Sequence, residues 1–487
     1  MSSVERTCIA TSATTEYGLP EGWTLSSLGE CVDILDSRRV PVNSDERAKR
    51  LGRTPYYGAT GQVGWIDDCL FNEELLLLGE DGAPFLDKSL PISYIISGKS
   101  WVNNHAHVLR AVEGLTTNHY LKFWLDAFDF SEYVTGSTRL KLTQTAMTRM
   151  PVSLPPVHEQ YRIVKKVQDL LGHVSGASDH LSRVPVILKR FRQAVLAAAC
   201  SGKFTESWRS LAVSPTTSSA SGSSKYAQME PLFDLPSSWR WVSLESVCDD
   251  ITVGHVGPMA QEYQEAGIPF LRSQNVREFR FDPRGLKYVS RKFHQKLNKS
   301  ALRPGDVAVV RSGYAGVACV IPDTIPEANC ADLVIIRPST TLDPHYACIF
   351  INSDAGRAHV NDVKVGIAQS HFNVGAARNT PLPLPTLGEQ QEIVRRVGAL
   401  FALADNIAKR TANATLVANK LTQSIIAKAF RGELVPTEDE LARREGREYE
   451  PASVLLERIR KERESLASIK PERKGKRKQD VSVQQNA

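Results

Sequence analysis

Cysteine is scarce in this sequence, and none of the eight cysteines lies in a Cys-x-x-Cys pair. Because that spacing is the usual signature of a zinc ribbon, we expect no such metal site. Dispersed thiols in a long chain are typical of a reducing compartment, so we expect a cytoplasmic protein. No apolar run approaches the roughly 18 residues of a membrane-spanning helix, and no basic and apolar leader opens the sequence.

Motifs for catalysis are also missing. The sequence has no Gly-x-x-x-x-Gly-Lys-Ser/Thr phosphate loop and no Asn/Asp-Pro-Pro-Tyr/Phe tetrapeptide of the amino-methyltransferase type. One nuclease-like fragment joins Asp323 to Asp362 and Lys364, at a spacing that arises easily by chance. His105 and His107 have no cysteine or acidic partner at ligand spacing, so we interpret them as loop or strand residues. We therefore expect no catalytic, metal or cofactor site in this chain, with a self-contained nuclease or nuclease–methyltransferase fragment as the alternative.

Charge gives only a weak indication of the partner. The 60 basic residues exceed the 54 acidic residues, and the net charge of +6 suits an anionic partner without establishing DNA binding. With 487 residues, of which 42% are hydrophobic, the chain is long enough for two to four domains at roughly 100–200 residues each.

What the sequence does contain is an internal repeat. The Leu-Pro-x-x-Trp segment at 19–23 is answered at 235–239, and the segment at 151–160 is answered at 381–390. The second match runs without a gap through the following residues as far as Gly202 and Gly432. The stretches at about 24–150 and 240–380 show no comparable alignment. We therefore interpret the similar parts as scaffold and the dissimilar parts as the regions in which the halves differ in function.

A long helix is predicted after each Pro-x-Leu-Pro hinge. Apolar residues recur at spacings of three and four from Ile163 and again from Ile393, which indicates one apolar stripe on each helix. About 40 helical residues would span roughly 60 Å. A stripe of that length needs a partner, and we expect the two helices to pack on each other as a coiled-coil-like spacer. Pro185 predicts a kink or split in the first helix.

The repeat divides the chain into segments. We predict that Trp23 and Trp239 are core anchors rather than exposed stacking platforms. The C-terminal segment is dense in charge, with one short helix expected around 454–467 and a disordered basic end. The expected segments are an N-terminal extension (1–18), a first variable domain (19–150), a first hinge and helix (151–204), a linker (205–234), a second variable domain (235–380), a second hinge and helix (381–437) and a charged tail (438–487).

Taken together, these motifs resemble the specificity subunit of Type I restriction–modification enzymes. The resemblance rests on the Leu-Pro-x-x-Trp openings, the Pro-x-Leu-Pro…Glu-Gln…Ile-Val helix starts and the helix exits at 201–204 and 431–434. The segments at 57–64 and 311–316 also look like this family's recognition domains. The resemblance implies an α+β fold in which two target-recognition domains of mixed α/β structure are joined by two long antiparallel helices.

The resemblance also implies a function and partners. Such a subunit reads a bipartite, asymmetric sequence in double-stranded DNA and performs no chemistry itself. Its partners would be two DNA adenine methyltransferase subunits and restriction or translocase subunits, with no membrane involved. Those partners would carry S-adenosylmethionine, ATP and Mg²⁺, so no cofactor is expected in this chain.

Residues that read bases must reach groove edges, where arginine pairs with guanine and asparagine or glutamine with adenine. We selected polar residues in loops between apparent strands, and we expect most of those that touch DNA to contact phosphate. The candidates are Asn103, Asn104, Thr138, Arg139 and Lys141 in the first half, and Arg272, Gln274, Asn275, Arg311, Tyr314, Gln369, Ser370 and Asn373 in the second half.

Overall fold

The computed structural model describes residues 18–87, 90–211, 232–362 and 371–469. It divides into two compact units, the first formed by 1–180 with 414–487 and the second by 181–413. The candidates Gln369 and Ser370, most of the expected linker and the basic C-terminal end lie outside the described residues. Among the described residues, no helix is both long and apolar enough to span a membrane.

The first unit contains two four-stranded sheets beside a two-stranded frame. Its strands are β1 (Thr24–Ser27), β2 (Val32–Ile34), β3 (Thr54–Gly58), β4 (Gly61–Ile66), β5 (Phe71–Asn72), β6 (Leu75–Gly79), β7 (Ser93–Ile96), β8 (Lys99–Val102), β9 (Ala106–Ala111), β10 (Val134–Thr135), β11 (Lys141–Leu142) and β12 (Pro151–Leu154). Its short helices are α1 (Leu28–Cys31), α2 (Ser44–Lys49), α3 (Asn118–Ala127) and α4 (Gln144–Thr148).

Strand order in the first unit places two loops at one sheet edge. β1 pairs with β12, β10 pairs with β11, and the two sheets have the orders β2-β9-β6-β7 and β4-β3-β8-β5. All pairs are antiparallel except β3 with β8, which are parallel. The carboxyl ends of β3 and β8 therefore lie side by side, and the loops that follow them are neighbours.

A continuous helix of 44 residues, α5 (Val157–Cys200), follows β12 and contains Pro185. Of the two predicted effects of Pro185, a kink or a split, the split is wrong. Pro185 is exposed, so water can satisfy the carbonyl that loses its hydrogen bond. A proline inside a helix costs about 3 kcal/mol, and both helix ends are fixed by packing into the unit cores, which offsets that cost. A short helix, α6 (Glu206–Leu211), follows α5.

The second unit is built from the next set of strands and helices. Its strands are β13 (Arg240–Ser243), β14 (Cys248–Val253), β15 (Tyr263–Gln264), β16 (Ile268–Leu271), β17 (Val276–Arg277), β18 (Arg280–Phe281), β19 (Lys287–Val289), β20 (Ala301–Leu302), β21 (Val307–Val310), β22 (Ala318–Val320), β23 (Ala328–Cys330), β24 (Leu333–Pro338) and β25 (Pro381–Leu384). Its short helices are α7 (Arg291–Lys296), α8 (Pro344–Asn352), α9 (Asp354–Asp362) and α10 (Val374–Arg378).

The topology of the second unit repeats that of the first, although the two sequences show no alignment by eye. β13 pairs with β25 as β1 does with β12, and the order β14-β24-β21-β22 matches β2-β9-β6-β7. The other sheet has the order β15-β19-β16-β23-β20, and its central pair, β16 with β23, is parallel like β3 with β8. β17 and β18 form a separate pair. The predicted α+β class is confirmed, and the variable halves share one plan.

A second helix of 44 residues, α11 (Leu387–Phe430), follows β25. In the first unit, Ile163 near the start of α5 shares a hydrophobic core with Ile425 near the end of α11. In the second unit, Val195 near the end of α5 shares a core with Ile393 near the start of α11. In both units the start of one long helix packs with the end of the other, as in antiparallel helices.

Two more helices of the first unit follow α11, α12 (Glu438–Glu445) and α13 (Ala452–Ile469). The expected short helix around 454–467 is longer than predicted, and its apolar side is buried. Leu455 and Leu456 belong to the core of the first unit. Arg460 and Arg463 of α13 form ion pairs with Glu30 and Asp33, at 2.7 Å in each case. Much of the expected tail is therefore packed against the first unit.

The repeated Glu-Gln pair at each helix start holds the scaffold together. The indole Nε1 of Trp23 donates to Glu159, and that of Trp239 donates to Glu389, at 2.9 Å in both units. The tryptophans are 7% and 6% exposed, which confirms that they are core anchors. The neighbouring glutamine, Gln160 in the first unit, is fully buried and donates to backbone carbonyl oxygens. The motif therefore joins each helix start to its unit.

Candidate nucleic-acid interface

Four loops of the first unit line one groove of about 720 Å³, which we call the first polar edge. They are the loops after β3, β6 and β8 and the segment before β11, and the groove is open at the surface. Among the lining residues are Gly58, Asp81, Asn103, Thr138 and Arg139. The first polar edge thus combines the glycine-rich segment at 57–64 with three of the five residues predicted in this half.

The predicted residues of the first half occupy different depths. Thr138 and Arg139 are exposed on the groove, and Asn104 is exposed in the turn after β8. Asn103 is 8% exposed, and its side-chain oxygen accepts from the backbone N–H of His105 at 2.8 Å. Lys141 lies 3.4 Å from the carboxylate of Glu80. The fold therefore groups these residues at one edge, with Asn103 shaping the turn rather than standing free.

Asp81 is a groove residue that the sequence reasoning missed. Its Oδ1 lies 2.7 Å from Nε of Arg139, and its Oδ2 lies 3.5 Å from Nδ1 of His105. The contact joins loops that are distant in sequence, so no local pattern predicts it. The available signal was the Glu80-Asp81-Gly82 turn directly after the apolar run at 75–78, because polar residues at a strand end often face a site.

Beneath the first polar edge, Asp36, Glu80 and His107 are close enough to hold a metal ion. Arg39, however, lies 2.6 Å from Glu80 and 3.4 Å from Asp36. The ring of His107 meets Asp36 through Nδ1 at 2.6 Å and the carbonyl oxygen of Leu142 through Nε2 at 3.0 Å. Both ring nitrogens face acceptors, so we interpret the group as an ion-pair network that anchors the segment before and including β11.

The charge of Asp36 is stabilised within this network. Burial alone would raise the pKa of Asp36, but hydrogen bonds from His107 and from the backbone N–H of Val108 lower it below its ordinary value. The fold thus gives His107 the acidic neighbours that its sequence surroundings lack, and they come from segments far along the chain. The expectation that His107 is a strand residue agrees with its place in β9.

The second unit builds an equivalent edge, which we call the second polar edge. The N–H of Arg311 donates to Asp332 and its carbonyl accepts from Phe372. In the first unit, the N–H of Glu80 donates to His105 and its carbonyl accepts from Leu142. Arg311 therefore takes the backbone position of Glu80, and Asp332 takes that of His105. The backbone arrangement is kept, while an arginine replaces a glutamate at one position and an aspartate replaces a histidine at the other.

The predicted residues of the second half also differ in their availability. Arg272 donates to the carbonyl of Gly285 at 2.8 Å and lies over the ring of Tyr263. Gln274 is exposed and bonds to the same carbonyl at 3.2 Å. Asn275 is fully buried and donates to the carbonyl oxygens of Asp282 and Arg284.

Two further candidates of this half have contrasting positions. Asn373 caps α10 by accepting from the N–H of Ala376. Tyr314 is 85% exposed at the tip of the turn between β21 and β22. Gln274 and Tyr314 are thus exposed to a ligand, Arg272 and Arg311 are half-buried, and Asn275 and Asn373 support the local backbone.

Two aspartates near Arg311 in the sequence have side-chain partners other than Arg311. Asp306 is 3.5 Å from Arg337, and the Oδ2 of Asp332 accepts hydrogen bonds from Ser273 and Ser312. Within the part of the chain that the structure describes, the Nε of Arg311 is buried and has no hydrogen-bond partner. A buried guanidinium nitrogen without a hydrogen-bond partner is costly, so Arg311 stays a candidate for contact with an external anion or base.

The nuclease-like fragment gains no support from the fold. Asp323 is exposed shortly after β22, Asp362 is the last residue of α9, and Lys364 lies outside the described residues. Polar side chains of the two edges are amides, hydroxyls, guanidinium groups and paired carboxylates. Such groups form hydrogen bonds with phosphates and base edges.

Comparison with known proteins gives one consistent family. The model of the Type I restriction modification DNA specificity domain matches residues 20–174. The chain is 31% identical to the Type I restriction enzyme EcoKI specificity subunit of Escherichia coli K12, over 94% of this chain and 98% of that protein. It is 29% identical to the StySPI specificity subunit of Salmonella potsdam over the same shares.

Solved structures show the same fold at lower identity. A chain from the type I R-M system has a TM-score of 0.62 at 19% identity and covers 86% of this chain and 100% of its own length. The crystal structure of the HsdS subunit from Thermoanaerobacter tengcongensis has a TM-score of 0.51 at 19% identity, with the same coverage. The predicted resemblance is confirmed by these similarities.

Proposed function

This chain belongs to the specificity subunits of Type I restriction enzymes, and from that premise we propose that each of its two units reads one half of a bipartite, asymmetric DNA sequence. The observation that carries the proposal is the pair of polar edges. They share strand order and backbone hydrogen bonds, yet they present different side chains. A common frame with different side chains is what two different half-sites require, since sequence is read by side chains at base edges.

The chain itself supplies recognition rather than catalysis in this proposal. The carboxylates of Asp36 and Glu80 are engaged by Arg39, and both nitrogens of His107 face acceptors. Neither a general base nor a metal ligand is therefore free in that network. Methylation and DNA cleavage would belong to methyltransferase and restriction subunits, which would carry S-adenosylmethionine, ATP and Mg²⁺. The assembly would act on genomic DNA in the cytoplasm.

Two methyltransferase subunits, one for each unit, fit the repeat. Both units expose apolar side chains on their long-helix segments, with Leu416 60% and Leu421 48% exposed in the first unit and Ile187 60% and Leu403 54% exposed in the second. Exposed apolar clusters on helices are typical of surfaces that bind protein partners. We propose that these segments contribute to the methyltransferase contacts.

The proposal is tested by co-expressing the chain with its methyltransferase subunit and sequencing the methylated positions in the host DNA. We expect one motif with two specified parts separated by unspecified bases. Methylation without a defined motif, or with the same motif when this chain is omitted, would contradict the proposal. In the methylation experiment, the methyltransferase subunit expressed without this chain is the matched control. The alternative function, a self-contained nuclease, predicts instead that the purified chain alone cleaves plasmid DNA with Mg²⁺.

A further inference from the structure

Arg139 on the first polar edge is held mainly through one nitrogen. Its Nε lies 2.7 Å from Asp81, while its Nη2 approaches His105 only at 3.5 Å. The side chain is 60% exposed. Because the guanidinium has five N–H donors in a fixed plane, an Nε bond to Asp81 fixes that plane. It leaves Nη1, and Nη2 apart from its long contact with His105, for a ligand in the groove that Arg139 lines.

The backbone around Arg139 is also fixed. The N–H of Gly82 donates to Leu140 at 2.9 Å and that of Leu142 donates to Glu80 at 2.8 Å, so the arginine loop is joined to the end of β6. Gly82 has a φ of +73°, and a Cβ at this position would lie 3.1 Å from Nε of Arg139. The close approach of Arg139 to this turn therefore favours glycine.

The layer below supports the same loop. His107 bonds to the carbonyl of Leu142, and Glu80 is paired with Arg39. The segments that carry Asp81 and Arg139 are thus anchored to the ion-pair network below them and do not form a free surface loop. Such support lowers the conformational cost of presenting the guanidinium to a ligand.

This arrangement favours a base edge over a phosphate. The carboxylate of Asp81 lies 2.7 Å from Nε of Arg139, and its side chain is 25% exposed and lines the groove. A phosphate that approached the guanidinium here would also meet that carboxylate and be repelled. A base edge carries no net charge, so it avoids most of this repulsion.

We propose that Arg139, oriented by Asp81, reads a guanine in the half-site of the first unit. Guanine presents two acceptors, O6 and N7, in the major groove, whereas adenine replaces one of them with a donor amine. Two terminal guanidinium nitrogens match two acceptors and oppose a donor. The proposal rests on the proposed function and names the base chemistry of that same site, with Asp81 as a positioning residue.

The first experiment compares methylation motifs of the full complex. We expect one guanine of the motif to become any base in Arg139→Ala, and the same position to be partly relaxed in Asp81→Asn, with all other positions unchanged. The matched control is Asp67→Asn, because Asp67 accepts from Nε of Arg50 at 2.9 Å in the same unit. That control should leave the motif intact. A structural role of Asp81 would lower stability without moving the base preference at one position.

The second experiment measures binding of the purified complex to DNA carrying 7-deazaguanine at that position, which removes N7. We expect wild-type affinity to fall by roughly tenfold or more, and Arg139→Ala to be indifferent to the replacement. Arg139→Lys keeps the charge but not the rigid fork, so it should weaken the guanine preference while keeping the salt dependence of binding.

Two results would overturn the inference while leaving the proposed function intact. One is an unchanged motif in Arg139→Ala, and the other is a loss of affinity that is equal for all sequences. A complex that methylates no defined motif with wild-type chain would instead contradict the proposed function itself.

Discussion

The two units place different side-chain chemistry at equivalent backbone positions. After β6 the first unit has Glu80 and Asp81, and the loop after β8 supplies His105. After β21 the second unit has Arg311 and Ser312, and the loop after β23 supplies Asp332. Backbone hydrogen bonds are equivalent in the two places. Backbone hydrogen bonds therefore fix the position of each side chain. The identity of that side chain can then differ between the units without changing the fold.

The units also differ in how their scaffold is completed. The second carboxylate oxygen of Glu159 accepts from the backbone N–H of Glu438, which comes from the C-terminal part of the chain. Glu389 instead accepts from Thr205 and Arg209, which directly follow α5. Burial raises the pKa of Glu159 against the lowering effect of its hydrogen bonds. The scaffold of the first unit is thus completed by the segment that follows α11, and that of the second unit by the segment that follows α5.

The largest expected effect is on stability, when the carboxylate at the start of each long helix is replaced. Glu389→Ala leaves the guanidinium of Arg209 unpaired in a largely buried place, so we expect a loss of about 3 kcal/mol in unfolding free energy. Glu159→Ala removes hydrogen bonds without orphaning an ion partner, and about 1–2 kcal/mol is expected. Thermal or denaturant unfolding measures both. Glu389→Gln, which can keep the Trp239 bond, should lose less than Glu389→Ala, and equal losses in the two units would contradict the account.

Shortening a buried side chain of α13 should destabilise the first unit but not the second. Leu456 is 3% exposed in the core of the first unit, so Leu456→Ala should cost about 2–4 kcal/mol. Hydrogen exchange should become faster in the first unit while the second keeps its protection. Val454→Ala is the matched control, because Val454 on the same helix is 54% exposed. Faster exchange in both units alike would show that the C-terminal helices do not belong to the first unit alone.

Arg311→Ala should separate recognition from stability in the second unit. If Arg311 meets a base edge, affinity should fall by about 1–3 kcal/mol and one motif position should relax. The melting temperature should stay near that of the wild type, since no ion pair is lost among the described residues. Arg337→Ala is the contrast, because Arg337 is paired with Asp250 at 2.9 Å and should lose stability first. An Arg311 variant that melts early but binds normally would remove it from the interface.

The smallest expected effect is the pH dependence of α13 docking. The hydrogen bond from Arg460 lowers the pKa of Glu30 from its ordinary value to about 2. A lowered carboxyl pKa stabilises the folded state above its unfolded value, and this stabilisation is lost as pH falls from about 4.5 toward 2. Glu30 is half-buried and Arg460 is exposed, so solvent screens the pair and it should contribute less than about 1 kcal/mol. Hydrogen exchange of α13 against pH measures it, and Glu30→Gln should abolish this part of the dependence.

The scaffold could be predicted from the sequence because its rules are local. Apolar residues at spacings of three and four give the long helices, and a repeated tryptophan indicates a core anchor. The predicted split at Pro185 did not occur, because packing at both ends of α5 outweighs the local cost of a proline inside the helix. The shared sheet order of the variable halves has no matching local pattern, since each strand is defined by partners far along the chain.

The candidate site could be predicted only in part for the same reason. Arg139 and Arg311 stand out as charged residues in polar loops beside apolar strands. Asp81 gains its role only through contact with a loop that comes much later in the sequence. Asn275 is of a residue type that reads bases, yet its side-chain amide donates hydrogen bonds to backbone carbonyl oxygens inside the unit. Composition thus locates a polar loop but does not decide which way each side chain faces.

Exchange of one variable half tests the central claim most directly. Residues 240–380 would be replaced with the corresponding stretch of another family member, and the methylated motif of the complex would be sequenced. The account predicts that one half of the motif changes while the other half, read by the first unit, stays the same. A motif in which both halves change together would contradict the claim that each unit reads its own half-site.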